Sequence, residues 1–190
     1  MRIVGGLHKG RRLAAPAGRD TRPTADRARE ALFNILAHSP HLDLAGARVV
    51  DCFAGSGGLG LEALSRGAAH VTLVEQAASA LAALKGNVEA LREQSRATIL
   101  RTDATRLPSA PVPCGLALLD PPYRMDLAAP CLSALAAKGW LAPDALCVAE
   151  IAADEALSLP PGFRELERRT YGAASFVFVL WEGAGSATGM

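Results

Sequence analysis

The sequence lacks the features of a membrane-bound or secreted chain. No apolar run approaches the roughly 18 residues that a membrane span requires. The first four residues are followed by glycines and charged side chains, whereas a signal peptide would continue into a hydrophobic stretch. The chain also contains no internal repeat. We therefore expect a soluble, cytoplasmic protein without a membrane partner.

The chain has only four cysteines, and their spacing excludes two common uses of this residue. They have neither the close pairing of a zinc site nor the short spacing of a disulfide framework. Each lies in or beside an apolar segment, so we expect reduced thiols in a hydrophobic core and no metal centre. These residues are Cys52, Cys114, Cys131 and Cys147.

The net charge is small, but it is unevenly distributed. The 190 residues carry a formal net charge of +1. Residues 1–30 contain eight Lys and Arg against three acidic residues, a net charge of +5, which leaves −4 for the rest. This asymmetry indicates a polyanionic partner, with nucleic acid the first candidate, although a solvated polar segment is the alternative. The length indicates one compact domain with at most a small appendage.

The first 40 residues predict an arm followed by a docking helix. Two short β-prone pieces within residues 2–13 indicate a small hairpin on which His8 is a surface residue. Pro23 and Thr24 then open a helical pattern whose apolar stripe should pack on the main body, with Arg29 outside the stripe. We place this basic unit at residues 1–40, the main domain at 41–183 and a disordered tail at 184–190. The stripe consists of Ala28, Leu32, Ile35 and Leu36.

From residue 47 the pattern alternates between strands and helices. Such alternation predicts an α/β fold with a mostly parallel sheet and helices on both faces. Two final β-prone runs, residues 163–169 and 174–181, predict a terminal antiparallel hairpin at one edge. The preceding strands are expected at residues 48–53, 70–75, 98–101, 116–120 and 145–151, and the helices at 58–65, 78–93 and 127–138.

A glycine-rich loop follows the first predicted strand. Gly55, Gly57 and Gly60 match the dinucleotide-binding fingerprint, and Glu75 matches its ribose-binding acid. A nicotinamide cofactor is therefore one interpretation. However, Asp51 at the mouth of the loop would repel a pyrophosphate. The combination favours S-adenosyl-L-methionine, which carries a sulfonium and an ammonium group, has no phosphate, and still needs an acid for its ribose hydroxyls.

The segment Asp120-Pro121-Pro122-Tyr123 comes directly after an apolar run that predicts a buried strand. Its prolines supply carbonyl acceptors without N–H donors, and their fixed φ restricts the loop. Tyr123 adds a face on which a planar base could stack, a contact that contributes about 1–3 kcal/mol. The implied ligand is a base with an exocyclic amine. The alternative is a polar turn in which Asp120 caps the next helix.

Four carboxylates lie at or just past the ends of successive predicted strands. They are Asp51, Glu75, Asp103 and Asp120. In an open parallel sheet these ends share one edge, where ligands bind. Each carboxylate could instead cap a helix, but together with the proline segment they predict a single site. In that site Asp103 and Ala104 would contact the adenine of the cofactor.

Several segments, taken in order along most of the chain, resemble one known family. They are Arg2-Ile3-Val4-Gly5-Gly6, Gly10-Arg11-Arg12-Leu13, residues 22–34, residues 51–66 and residues 120–123. The family is the class I methyltransferases that act on amino groups, and more narrowly the RsmD type, which methylates the exocyclic N2 of a guanine in 16S ribosomal RNA. The Asp-Pro-Pro-Tyr segment alone indicates only the reaction class, whereas the glycine arm and the segment around Pro23 narrow the subfamily.

The resemblance implies a Rossmann-like, seven-stranded sheet with one antiparallel strand and direct transfer of a methyl group to the guanine amine. The catalytic residues would be Asp120, Pro121, Pro122 and Tyr123. The cofactor would contact Thr24, Asp51, Phe53, Ala54, Gly55, Ser56, Gly57, Glu75, Gln76, Asp103, Ala104 and Asp120. The substrate RNA would contact Arg2, Lys9, Arg11, Arg12, Arg22 and Arg27.

The expected partner is 16S rRNA within a small-subunit ribosomal particle. The target guanine should be unpaired or flipped out, because a base in a paired stack cannot be reached. Nothing in the sequence indicates an oligomer, so a monomer is expected. One alternative is a DNA adenine-N6 or cytosine-N4 amino methyltransferase, which the lack of a separate target-recognition domain disfavours. Another is a non-catalytic cofactor- or RNA-binding module, which would not need residues 120–123.

Overall fold

The computed structural model describes residues 1–15 and 23–183, and the side chains of residues 23–25 are not described. Arg22 and the tail predicted to be disordered therefore lie outside the described residues. Within the described ranges, no helix combines the length and the hydrophobicity needed to cross a membrane.

A seven-stranded sheet forms the centre of the protein, with strand order β3-β2-β1-β4-β5-β7-β6. Strands β1 to β5 run parallel, and β7 runs antiparallel between β5 and β6. The predicted architecture and the terminal hairpin at one edge are thus confirmed. The elements are α1 (Pro23–Leu36), β1 (Arg48–Asp51), α2 (Gly58–Ser65), β2 (His70–Glu75), α3 (Ala78–Leu91), β3 (Ala97–Arg101), β4 (Cys114–Leu119), α4 (Ala128–Ala137), β5 (Leu141–Ala152), β6 (Phe163–Tyr171) and β7 (Ala174–Trp181).

Two hydrophobic clusters cover the two faces of the sheet. Successive strand residues point to opposite faces, so Leu116 and Leu118 of β4 join a cluster with α1, α2 and α3, whereas Ala117 and Leu119 join a second cluster with α4. The prediction of helices on both faces is therefore confirmed. All four cysteines are buried and unpaired, as expected, and they belong to the second cluster.

The strand order places a ligand-binding crevice near the centre of the sheet. The chain proceeds outward from β1 through β2 to β3 and then returns to the other side of β1 with β4 and β5. The order therefore reverses between β1 and β4. In open α/β sheets, ligands bind outside the carboxyl ends of the strands at this point of reversal.

The N-terminal arm lies along α2. Its pairing is limited to one antiparallel bridge between Arg2 and Arg12, supported by backbone hydrogen bonds on either side. The N–H of Val4 donates to the buried Glu62 carboxylate at 2.8 Å, and the N–H of Leu7 donates to the Ser65 carbonyl at 2.7 Å. Because α2 begins at the carboxyl edge of the sheet, the tip of the arm points away from that edge.

Helix α1 begins where the sequence predicts, but one of its residues is placed differently. Leu32, Phe33 and Leu36 are buried, so the apolar stripe docks as expected. Arg29, which was expected outside the stripe, is only 6% exposed, so this prediction was wrong. Its guanidinium donates to Asp26 at 2.7 Å and to the Arg2 carbonyl at 2.6 Å, and these acceptors make its burial tolerable.

Candidate active site

A cavity of about 530 Å³ opens at the carboxyl edge of the sheet. Among the described residues that line it, three are carboxylates, Glu75, Asp120 and Glu150, and none is Lys or Arg. The cavity is therefore acidic and suits a cationic or donor-rich ligand. The predicted site residues that line it are Phe53, Gly55, Glu75, Gln76, Ala104, Asp120, Pro121, Pro122 and Tyr123.

The glycine loop after β1 forms one wall of the cavity. Gly55 and Gly57 have φ of +55° and +92°, values that residues other than glycine rarely adopt. Gly60 serves another purpose, because a Cβ there would lie 2.4 Å from Cδ2 of Leu73 on β2. The loop thus needs two glycines for its backbone and a third for close packing of α2 on the sheet.

Glu75 at the end of β2 holds this loop in place. Its Oε2 accepts the N–H of Gly55 at 2.9 Å, and its Oε1 accepts the N–H groups of Gln76 and Ala77, each at 2.7 Å. The carboxylate therefore has a defined orientation at the wall of the cavity. Its predicted role, binding the ribose hydroxyls of a cofactor, remains a prediction.

Asp51 lies behind the loop and does not line the cavity. Its side chain is buried, and Oδ2 accepts the N–H of Gly60 at 2.8 Å. Oδ1 has no hydrogen-bond partner of normal geometry among the described residues. Burial raises the pKa of Asp51 from 3.8 to about 7, an increase that the backbone N–H groups of Gly60 and Phe53 oppose and the charge of Glu75 enhances. A buried carboxylate with an unused oxygen would be stabilised by a nearby cation.

The other predicted cofactor residues are not among the described residues that line the cavity. Ala54, Ser56 and Gly57 are buried in the glycine loop. Asp103 accepts hydrogen bonds from the N–H and the hydroxyl of Thr105, both at 2.8 Å, and the first of these is the main cause that lowers its pKa. Asp103 thus stabilises a turn that presents Ala104 to the cavity. Thr24 lies in the first turn of α1, with its side chain outside the described part of the chain.

The proline segment after β4 also lines the cavity. Pro121 is buried, and Tyr123 is 47% exposed at the mouth of the cavity. The Tyr123 hydroxyl donates to Oε1 of Glu150 at 2.5 Å. Burial, followed by this hydrogen bond and the charges of Glu150 and Asp120, raises the pKa of Tyr123, so the phenol stays protonated at neutral pH. The ring is thereby anchored at its hydroxyl while part of it faces solvent.

Sequence reasoning missed several residues of this region, among them Glu150, Met125 and Asn87. Glu150 lines the cavity from β5, and burial is the main cause that raises its pKa. Met125, 58% exposed, extends the apolar mouth beyond Tyr123. Asn87 of α3 donates to the carbonyls of Ser56 and Ala14 at 2.8 and 2.9 Å and so ties the glycine loop to the arm. Of these three, only Glu150 left a signal in the sequence, as an acid within an apolar strand.

The basic residues predicted to contact RNA lie outside the cavity. Arg2, Lys9, Arg11, Arg12 and Arg27 are all exposed, and none of them lines the cavity. Arg11 also donates to the Ala90 carbonyl at 3.0 Å, which fixes the returning strand of the arm on α3. These side chains are exposed and thus accessible to a polyanion, and contact with RNA remains a prediction.

Comparison with known proteins identifies the family to which the chain belongs. A family model described as "Conserved hypothetical protein 95" matches residues 1–180. Ribosomal RNA small subunit methyltransferase D of Escherichia coli (strain K12) is 38% identical over 168 residues, which cover 88% of this chain and 83% of that protein. The Haemophilus influenzae protein of the same name is 36% identical over 180 residues, with 93% and 91% covered.

Solved structures agree with the sequence comparison. The structure of yhhF from Escherichia coli superposes with a TM-score of 0.81 at 34% identity and covers 96% of this chain and 98% of that one. The seven-stranded sheet with its single antiparallel strand is the class I methyltransferase fold. The chain therefore belongs to the family described as Conserved hypothetical protein 95, the family of the RsmD-type methyltransferases.

Proposed function

We propose that this protein transfers a methyl group from S-adenosyl-L-methionine to the exocyclic N2 amine of a guanine in 16S ribosomal RNA. One observation carries the proposal: residues of the glycine loop and the segment from Asp120 to Tyr123 line a single acidic cavity. A cofactor-binding loop and an amine-accepting segment therefore face one space. The relatives named as small subunit rRNA methyltransferases support the choice of RNA.

The chemistry of the cavity fits the proposed cofactor. The lining contains carboxylates and, among its described residues, no Lys or Arg to neutralise a phosphate. Behind the loop, the buried Asp51 carboxylate, whose pKa burial raises to about 7, would be stabilised in its charged form by a cation bound nearby. Glu75 would hold the ribose hydroxyls, and the loop around Gly55 would allow close backbone approach. When bound, S-adenosyl-L-methionine supplies an electrophilic methyl group on its sulfonium.

For this reaction the protein must activate the guanine amine, which is a weak nucleophile. The lone pair of an aromatic amine is delocalised into its ring, so the nitrogen must be oriented and its developing positive charge stabilised. The Asp120 carboxylate and the Pro121 carbonyl would accept the two amine hydrogens and direct the lone pair toward the methyl donor. Preoriented acceptors of this kind act mainly on the transition state, where charge has developed.

The mouth of the cavity suits a base that has left its stack. Tyr123 and Met125 present exposed apolar surface there, and base–aromatic stacking contributes about 1–3 kcal/mol. The hydrogen bond from the Tyr123 hydroxyl to Glu150 fixes the orientation of the Tyr123 ring before a base binds. The target guanine would therefore be unpaired or flipped out of its helix.

The arm would supply affinity for the RNA backbone. Arg2 and Arg12 are paired across the antiparallel bridge and both are exposed, although Arg2 also pairs with Asp26 at 3.5 Å. An RNA phosphate beside these two guanidinium groups would be attracted by their charge. We extend the proposal to a substrate assembled in a small-subunit particle and to a monomeric enzyme of the cytoplasm.

The test is transfer of labelled methyl from S-adenosyl-L-methionine to unmodified small-subunit particles and, in parallel, to unmethylated DNA, followed by nucleoside mass spectrometry. N2-methylguanosine from the particles is the expected product. Methylated adenine or cytosine from DNA would overturn the substrate while keeping the reaction. Cofactor binding without transfer to either polymer would contradict the catalytic role.

A further inference from the structure

Among the described carboxylates that line the cavity, Glu150 is the one to which the proposed chemistry assigns no contact with cofactor or substrate. Glu75 holds the glycine loop, and Asp120 is assigned to the amine. Glu150 instead comes from β5, and Ala149, the residue before it, is paired with Leu119 of β4. The next residues along the two chains are therefore Asp120 and Glu150, which the parallel register places side by side, with the strand backbones about 5 Å apart.

The two carboxylates also share a face of the sheet. Leu118 and Val148, two residues earlier in each strand, both belong to the cluster with α1, and strand side chains repeat their direction every second residue. The charge of Arg29 on α1 acts on Glu150, in agreement with this placement. Asp120 and Glu150 thus form a pair of neighbouring acceptors at the edge of the cavity.

One carboxylate oxygen of Glu150 already accepts a hydrogen bond, which defines the position of the carboxylate. Oε1 accepts the Tyr123 hydroxyl at 2.5 Å, which fixes the carboxylate relative to the ring on which a base would stack. A carboxylate has a second acceptor oxygen with free lone pairs. A base stacked on Tyr123 would therefore present its polar edge to Asp120 and to Glu150 together.

We propose that Glu150 accepts the N1–H of the target guanine and so selects guanine over adenine and cytosine. This inference rests on the proposed function. Guanine carries two neighbouring donors, N1–H and the N2 amine, which match two neighbouring acceptors. Adenine and cytosine also present an amine, but the ring nitrogen beside it has a lone pair, which a carboxylate repels. Sites built to accept a substrate N–H reject analogues that lack it by large factors.

The test uses a base that keeps the amine and loses the N1–H. 2-Aminopurine has the same exocyclic amine as guanine, with a lone pair on N1. Small-subunit particles would be reconstituted with 16S rRNA carrying either base at the methylated position, and initial rates of methyl transfer would be compared. The wild-type protein should prefer guanine by about 100-fold or more. A wild-type preference of less than tenfold would overturn the inference.

Glu150→Gln should change this preference, because an amide can donate to the N1 of 2-aminopurine and can also accept from guanine. We expect its guanine preference to fall below about tenfold. An unchanged preference would overturn the proposal. Both rates scale with the fraction of folded protein, so their ratio is insensitive to partial misfolding of the variant.

Two further variants separate recognition from general damage. Glu150→Asp keeps the negative charge, but its side chain is shorter by one methylene. The variant should therefore methylate guanine more slowly and still reject 2-aminopurine. Acceptance of 2-aminopurine by this variant would contradict the proposal. Glu167→Gln makes the same change as Glu150→Gln on β6, outside the cavity, and should retain the wild-type ratio. A reduced ratio there would show that the discrimination does not come from Glu150.

The outcome also distinguishes this inference from the proposed function. Formation of N2-methylguanosine by the wild type with an unaltered ratio in Glu150→Gln would overturn only the role of Glu150. Failure of the wild type to methylate guanine-containing particles would overturn both.

Discussion

Nε2 of His8, in the arm, lies 2.6 Å from Oε1 of Glu93, just beyond the end of α3. The sequence interpretation of His8 as a surface residue was wrong, because its side chain is only 15% exposed. Glu93 also pairs with Arg96, at 2.5 Å, so the carboxylate joins the arm to the turn before β3. The arm is therefore attached to the main domain at both α2 and α3, and its stability can be tested by pH.

The charge of Glu93 should stabilise the fold above pH 4.5. Burial alone would raise its pKa, but hydrogen bonds from His8 and Arg96 outweigh burial and lower the pKa below 4.5. A lowered folded-state pKa means that the stabilisation is complete above 4.5 and is lost as pH falls through the folded-state value. Glu93→Gln should thus cost about 1 kcal/mol of unfolding free energy at neutral pH, and the difference from wild type should vanish in acid.

Urea unfolding across this range measures the effect of Glu93→Gln. Glu89→Gln, at an exposed position of α3, is the matched control and should follow the wild-type curve. A difference that stays constant down to about pH 3 would show that charge at Glu93 is not the cause.

Asp51 should destabilise the fold at high pH while favouring a cationic ligand. The folded-state pKa of Asp51, about 7, lies above its ordinary value of 3.8. The protonated side chain therefore contributes its full stabilisation of the folded state below pH 3.8, and this contribution is lost as pH rises through about 7. Asp51→Asn keeps an acceptor for the N–H of Gly60 but has no charge to bury. The stability advantage of the variant over wild type should grow between about pH 4 and pH 7 and stay constant above that, and the variant should bind S-adenosyl-L-methionine more weakly at pH 8. Denaturation curves and calorimetry measure the two effects, and parallel stability curves would contradict the expectation.

Asp120→Ala should abolish turnover while leaving cofactor binding largely intact. Removing a preoriented group that stabilises transition-state charge lowers kcat by about 10²–10³. Single-turnover methyl transfer and calorimetric titration with S-adenosyl-L-methionine separate the two properties. Asp43→Ala, in the exposed loop before β1, is the control and should match wild type in both. Near-normal turnover in Asp120→Ala would refute the assigned role.

Neutralising Arg11 and Arg12 should weaken RNA binding and flatten its salt dependence. Each lost phosphate contact reduces the slope of log K against log salt by about 0.7–0.9, so the double Gln variant should lose about 1.4–1.8. Binding titrations at several salt concentrations give the slope. The control is the double Gln variant of Arg164 and Arg169 on β6, which should keep the wild-type slope. An unchanged slope in the arm variant would count against the arm as an RNA contact.

Gly60→Ala should destabilise the protein by about 1–3 kcal/mol because its Cβ would overlap the sheet. The new atom would lie 2.4 Å from Cδ2 of Leu73 and 2.9 Å from Cγ2 of Val71. Gly86→Ala in α3 is the matched control, since nothing lies within 4 Å of its Cβ. That variant should gain about 0.5–1 kcal/mol from helix propensity. Equal effects of the two substitutions in urea unfolding would contradict the packing role of Gly60.

The alternation of strands and helices followed from the sequence because it depends on local properties. Helix α2 and strand β2 occupy the residues predicted for them, since glycine turns and apolar periodicity act over a few neighbouring residues. Strand β5 is the instructive exception, beginning at Leu141 where residue 145 was expected. Pro143 and Asp144 resemble a turn, but they are accommodated by an irregularity in the pairing with β4.

The candidate site was predictable where its functional residues are consecutive in the sequence. The glycine loop and the segment from Asp120 to Tyr123 are such runs, and both line the cavity or support it. Both segments follow strands whose carboxyl ends share one edge of the parallel sheet, a placement that the alternation of elements made predictable. The predicted roles of these residues rest on that shared position.

What only the tertiary structure decided is contact between residues far apart in the sequence. Glu150 meets Tyr123 because the register of β5 on β4 brings them together, and no local pattern encodes that register. Arg29 is buried because acceptors from the arm and its own helix converge on it, and His8 meets a carboxylate 85 residues away. Local propensity determines the elements, whereas burial and hydrogen bonding of polar side chains depend on which elements pack together.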